Sequence, residues 1–175
     1  MRYIACILIA GLACGCVVVQ PVESLDSVQI SAKTEVAHDP DKKTTAVEGL
    51  KLHFGEFHEN YYFLKASRAE AEPAAHYFFA LQTLRKRSLG GIGWKAAADE
   101  KGSAFALAKE AVTTNEDLLY ELAEFELTRE WLDLAATREI QVQVCGAITN
   151  HSLVFPTNYV AGFLSRVDRE CFGQN

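Results

Sequence analysis

Two stretches of this chain are apolar on both sides of a two-residue period, and they constrain its fold more than any other feature. Tyr61-Tyr62-Phe63-Leu64-Lys65-Ala66 is aromatic on both faces. His76 to Leu84 places Tyr77, Phe79 and Leu81 on one face and Phe78, Ala80 and Leu84 on the other. Strands of this kind belong inside a sheet that is covered twice. Between them lie Pro73 and an Ala/Glu run, as in a hairpin connection of several residues.

The remaining patterns are consistent with such a sheet. Leu50, Leu52 and Phe54 alternate with Lys51 and His53, the signature of a half-buried strand. Ser88 to Gly93 reads as a loop. Trp94 restarts the pattern, Asp99-Glu100-Lys101-Gly102 reads as a turn, and Phe105 and Leu107 continue beyond it. A single helix over 94–111 is the rival, since the segment is rich in Ala, Lys and Glu. Gly102 in its middle opposes that by about 1 kcal/mol, so two strands are expected. Leu119, Ala123, Phe125 and Leu127 share one face, with Glu121 the exception. Tyr120, Leu122, Glu124 and Glu126 fill the other. Thr128 can cap a short helix over 129–137. Ile140, Val142 and Val144 then alternate with Gln141, Gln143 and Cys145, and Leu153 to Phe155 returns as a hairpin partner. Val160, Phe163, Leu164 and Val167 follow at helical spacing, which predicts an amphipathic helix over 157–170. Strands first and short helices late imply an α+β fold: a mostly antiparallel sheet or sandwich with a packed C-terminal helix. With 49% hydrophobic residues, a single domain over 48–175 can hold its own core. Residues 16–47 are weakly patterned. They read as a tether and irregular N-terminal segment, with one short strand near Val28–Ile30.

The N-terminus reads as an address. Met1-Arg2 is a basic start, and Tyr3 to Ala13 is an apolar run, too short for the roughly 20 residues of a membrane span. Small residues end it, which marks a secretory signal over 1–15. Leu12-Ala13-Cys14-Gly15-Cys16 resembles the bacterial lipobox, in which a cysteine receives a palmitate-bearing lipid and becomes the new N-terminus. Cys16 is the expected site and Cys14 the alternative. Cleavage at Cys16 removes Cys6 and Cys14 and leaves one pair, Cys145 and Cys171. Joined as a disulfide, they would close a loop of about 25 residues and contribute about 3 kcal/mol. The other reading is two separate thiols. Val17 follows Cys16 where many inner-membrane lipoproteins carry aspartate, so the expected location is the outer membrane, with the domain facing the periplasm. The formal net charge is −6, and loss of Arg2 with the signal makes the mature chain more acidic still. That disfavours nucleic acid as a partner. The expected partners are the membrane, through the lipid, and an envelope protein or glycan. No cofactor is expected.

The second half carries a resemblance. Trp94…Ala98-Asp99…Gly102, Tyr120-Glu121…Phe125-Glu126-Leu127, Gln141-Val142-Gln143-Val144…Gly146 and Phe155-Pro156…Tyr159-Val160…Gly162-Phe163-Leu164 together resemble small uncharacterised lipoproteins of bacterial envelopes. The likeness spans roughly residues 76–168. It implies strand–turn–strand at 94–109 and the final helix, and it assigns no catalytic residue.

Four groups could carry chemistry. Gly91-Ile92-Gly93-Trp94-Lys95-Ala96 fits G-x-G-x-x-A, but a dinucleotide site needs a helix after it, and Trp94 crowds the phosphate position. Arg85-Lys86-Arg87 is the dense cationic spot and a candidate anion patch. Strand alternation would split it, Arg85 and Arg87 to one side and Lys86 to the other. His53, Glu56 and His58 could meet at a metal or an envelope hydrolase site only if a bulge at Gly55 turned the two histidines to one face. His76 and His151 could join them only through tertiary contact. Tyr61, Tyr62 and Tyr77 could form an exposed aromatic patch for a partner. No G-x-S-x-G and no H-E-x-x-H occurs. No catalytic or metal set is assigned. The expected function is a binding or structural module.

Overall fold

A computed structural model describes residues 22–55 and 60–173 of the chain. Eleven strands and three α-helices form in them: α1 (Ser27–Lys33), β1 (Glu35–Asp39), β2 (Thr44–Glu48), β3 (Leu52–His53), β4 (Tyr61–Ala69), β5 (His76–Lys86), β6 (Trp94–Asp99), β7 (Ala104–Phe105), β8 (Leu107–Asn115), β9 (Leu118–Leu127), α2 (Arg129–Ala135), β10 (Ile140–Gly146), β11 (Asn150–Phe155) and α3 (Thr157–Phe172). All strand pairs are antiparallel. The large sheet runs β1-β2-β4-β5-β9-β8, with β3 also on β4, and the small sheet runs β11-β10-β6-β7. The fold is α+β, two antiparallel sheets with a C-terminal helix.

The two-faced strands β4 and β5 sit at the middle of the large sheet. Register places Tyr62 opposite Leu81, Leu64 opposite Phe79, and Phe79 opposite Phe125. This face is the core. Phe155 of β11 meets it from the small sheet, 5.2 Å from the Tyr62 ring and 6.1 Å from Phe79. Trp131 of α2 and Tyr159 of α3 close around the same ring. Burying aromatic side chains this fully contributes on the order of 3 kcal/mol each.

The opposite face of the large sheet covers itself. Phe63 is buried there, with the Lys51 ammonium over its ring at 5.3 Å. Ala80 is also buried, and beside it Lys65 and Glu124 form an ion pair at 2.5 Å. Glu124 is therefore buried and paired. Tyr62 and Tyr77 point into the core at 7% and 6% exposure, so the expected patch of Tyr61, Tyr62 and Tyr77 does not form; Tyr61 is half-buried.

Two further expectations need correction. Residues 22–47 are not a tether: they supply α1 and the first two strands of the large sheet. Val28–Ile30 is helix, because Asp26 and Gln29 form a reciprocal cap, Gln29 N–H donating to Asp26 and Asp26 N–H to the Gln29 side chain. Leu25 and Ile30 are buried on either side of that cap. Residues 16–21 lie outside the described residues. Of the two readings for Cys145 and Cys171, a disulfide or two separate thiols, the structure has the second: the proposed disulfide is not formed in it. The alternation that buries Val142 and Val144 turns Cys145 to solvent, whereas Cys171 is buried where α3 meets the core.

Candidate functional site

At one end of the sandwich a cavity of about 320 Å³ is lined by Gly55, Asn60, Arg85, Ile92, Ile148, Thr149 and His151. These residues come from distant parts of the chain. Asn60 precedes β4, Arg85 ends β5, Ile92 lies in the loop before β6, and Ile148 to His151 form the β10–β11 turn and the start of β11.

Local chemistry holds each wall. The loop 90–93 is pinned from below by Glu121 of β9, whose carboxylate accepts the Ile92 N–H at 2.7 Å and the Gly93 N–H at 2.9 Å. Glu121, the one polar residue on an otherwise apolar strand face, is 3% exposed and satisfied by these backbone donors. The same loop is tied to the hairpin turn through the Ala147 N–H, which donates to the Ile92 carbonyl at 2.8 Å. His151 packs edge-on to Phe54 at 5.1 Å and beside Trp94 at 6.1 Å, with Thr149 Oγ1 3.3 Å from its Nε2. Burial holds the His151 imidazole below the usual histidine range, which favours its neutral form.

Three buried polar atoms around this end lack hydrogen-bond partners among the described residues: Asn60 Oδ1, Thr83 Oγ1 and Trp94 Nε1. Thr83 shares the inner face of β5 with Arg85, and Trp94 touches His151. Orphaned buried groups cost about 1–3 kcal/mol each. Ser31, Trp131 and Arg166 carry orphaned buried atoms elsewhere, so the three at this end mark the cavity only together with its geometry. A larger groove of about 540 Å³ lies between β7 and α2, lined by Asp99, Phe105, Glu126 and Trp131 among others. Its Asp99 carboxylate accepts the Lys101 and Ser103 N–H groups and so is spent on the turn.

The sequence candidates scatter. Arg85 faces the cavity, Lys86 is on the opposite face of β5, and Arg87 starts a 3-10 turn, so the basic triplet is divided as alternation requires. His53 is on the outer side of β3, away from Phe54 and His151, and meets Tyr61 edge-on at 6.0 Å. Glu56 and His58 lie outside the described residues, as do Cys14 and Cys16. Among the described residues no three His, Cys, Asp or Glu side chains converge to hold a metal. Gly91–Ala96 leads into a strand, so no helix N-terminus stands behind it for a pyrophosphate. Asn60 and Thr149 carry no local motif. They become neighbours only when three separate chain segments meet. Comparison with known proteins found no matching family model, no matching curated protein and no matching solved structure.

Proposed function

We propose that this chain is a lipid-anchored binding module of the bacterial envelope. Cys16 carries the lipid, with Cys14 the alternative, and the domain stands in the periplasm, at the outer membrane rather than the inner. The observation that carries this reading is the N-terminal pattern: a basic start, a short apolar run and two cysteines each preceded by a small residue. Two structural facts accord with it. Among the described residues no helix is long and apolar enough to cross a membrane, which is compatible with attachment through an acyl chain. The end cavity combines apolar walls, Ile92 and Ile148, with a few convergent polar groups, the usual build of a small-ligand site.

The intact mass of the protein from a bacterial membrane fraction tests the anchor. The expected species begins at Cys16 and carries added acyl mass. A species beginning at Cys14 with acyl mass moves the site by two residues. An unlipidated chain, or one that keeps residues 1–15, removes the anchor.

A further inference from the structure

We propose that the end cavity is an oxyanion site, with Arg85 and Asn60 as its donors, for a small carboxylate or phosphate borne on an apolar body. This deepens the binding-module reading and rests on it. Arg85 is half-buried, lines the cavity and makes no side-chain hydrogen bond or ion pair among the described residues. Arg68, Arg129, Arg138, Arg166 and Arg169 each meet a carbonyl or a carboxylate, and Arg87, unpaired like Arg85 among the described residues, is exposed to solvent. A partly desolvated guanidinium is best satisfied by an anion, which it grips with a planar fork of N–H donors. Asn60 is 3% exposed and lines the same cavity; its Nδ2, on the Gly55 side of the cavity, makes no hydrogen bond among the described residues, while its orphaned Oδ1 is an acceptor that an N–H or O–H on the ligand's body would satisfy. The Nδ2 adds a neutral donor beside the cation. The Thr149 hydroxyl and the His151 ring complete the polar side. Glu121, on the same sheet face as Arg85, is taken up by the Ile92 and Gly93 N–H groups. Ile148, 60% exposed, gives the cavity an apolar rim that the body of such a ligand would cover and a bare ion would not.

The test uses the full-length protein purified in detergent, with the Trp94 indole N–H resonance as reporter, because Trp94 packs on His151. Four probes separate the contributions: inorganic phosphate, acetate, benzoate and the neutral isostere benzamide. Saturable movement of the Trp94 signal is expected with benzoate or phosphate, and benzoate should bind more tightly than acetate. Benzamide should bind at least tenfold more weakly than benzoate. Arg85→Gln should weaken oxyanion binding at least tenfold with an unchanged melting temperature, and Arg85→Lys should recover part of the loss. Whichever of phosphate and benzoate binds tighter identifies the head group. No saturable shift with any oxyanion overturns the site. Equal affinity in Arg85→Gln overturns the role of Arg85. Benzamide matching benzoate overturns the oxyanion while leaving a binding module. None of these outcomes changes the lipid mass, so the anchor stands or falls separately.

Discussion

At position 159 a phenol is fully buried, and its oxygen accepts the Leu64 N–H at 2.9 Å while donating to the Leu50 carbonyl at 3.0 Å. Pairing of β2 with β4 ends at Glu48 and Lys65, so this hydroxyl continues the ladder where the neighbouring strand stops. Burial pushes its ionisation well above the usual tyrosine range, and it stays a neutral donor and acceptor at any ordinary pH. Tyr159→Phe orphans a buried N–H and should cost about 1–3 kcal/mol in urea denaturation. A Cβ at Gly49 would stand 2.6 Å from the same oxygen. Gly49→Ala should therefore be destabilising alone, and the double variant should lose less than the sum of the two. Strictly additive losses would show that the oxygen contact is not the cause. None of this was legible in the sequence. The helical stripe of Val160, Phe163, Leu164 and Val167 is visible from spacing, but the partners of Tyr159 lie far earlier in the chain. Long-range polar pairing leaves no local period. Arg85 was legible as a cation and Glu121 as an anomaly on an apolar strand face, yet the chemistry of each depends on a loop that only the fold brings near.

Elements with strong local signals match their sequence patterns. The two-faced strands became the middle of the large sheet, the Ile140–Val144 alternation became β10, and Thr128 caps α2 by accepting the Trp131 N–H. The element that was missed, α1, is short and exposes Val28, so it has no apolar stripe to read. Its visible mark was Asp26 three residues before Gln29, a capping pair that fixes where a helix starts. Its stability comes from docking on α3 instead. At Gly162 the helices approach so closely that a Cβ would fall 2.5 Å from the Ser27 carbonyl and 2.8 Å from Ile30. Alanine is the better helix former by roughly 1 kcal/mol, so an isolated α3 would gain from Gly162→Ala. In the folded protein the clash is with backbone and a β-branched side chain, neither of which yields cheaply. Gly162→Ala should destabilise by about 1–3 kcal/mol and selectively lower hydrogen-exchange protection in α1. A variant as stable as the parent, with α1 amides still protected, would refute the close packing of the two helices.

Over the whole molecule, one core joins both sheets and all three helices, since Phe155 touches side chains from the large sheet, α2 and α3, and Ile30 of α1 belongs to the same cluster. Sequence pattern reached the class of fold but not the strand order. Order is decided by which edges meet, and β8, exposed along nearly its whole length, has almost no burial pattern to announce its place. The N-terminal residues 22–47 were misjudged for a related reason: charged, sparsely apolar strands at a sheet edge resemble a linker. A shared core implies that the described domain unfolds as one unit. The thiols of Cys145 and Cys171 can report this, because they sample opposite environments. Cys145 is exposed and should react with a thiol reagent in the native protein without prior reduction. Cys171 is buried at the end of α3, and desolvation raises its thiol above the usual range, which suppresses the reactive thiolate. Its labelling should therefore wait for unfolding. In a urea series, the midpoint for Cys171 modification, measured by mass, should coincide with the midpoint for loss of far-ultraviolet circular dichroism. Modification of Cys171 at much lower urea would mean that α3 detaches before the sheets separate, and the single cooperative unit would have to be given up. If neither thiol reacted until a reductant was added, the two would be bonded to each other, and α3 would be held by a covalent link across the small sheet as well as by its buried stripe.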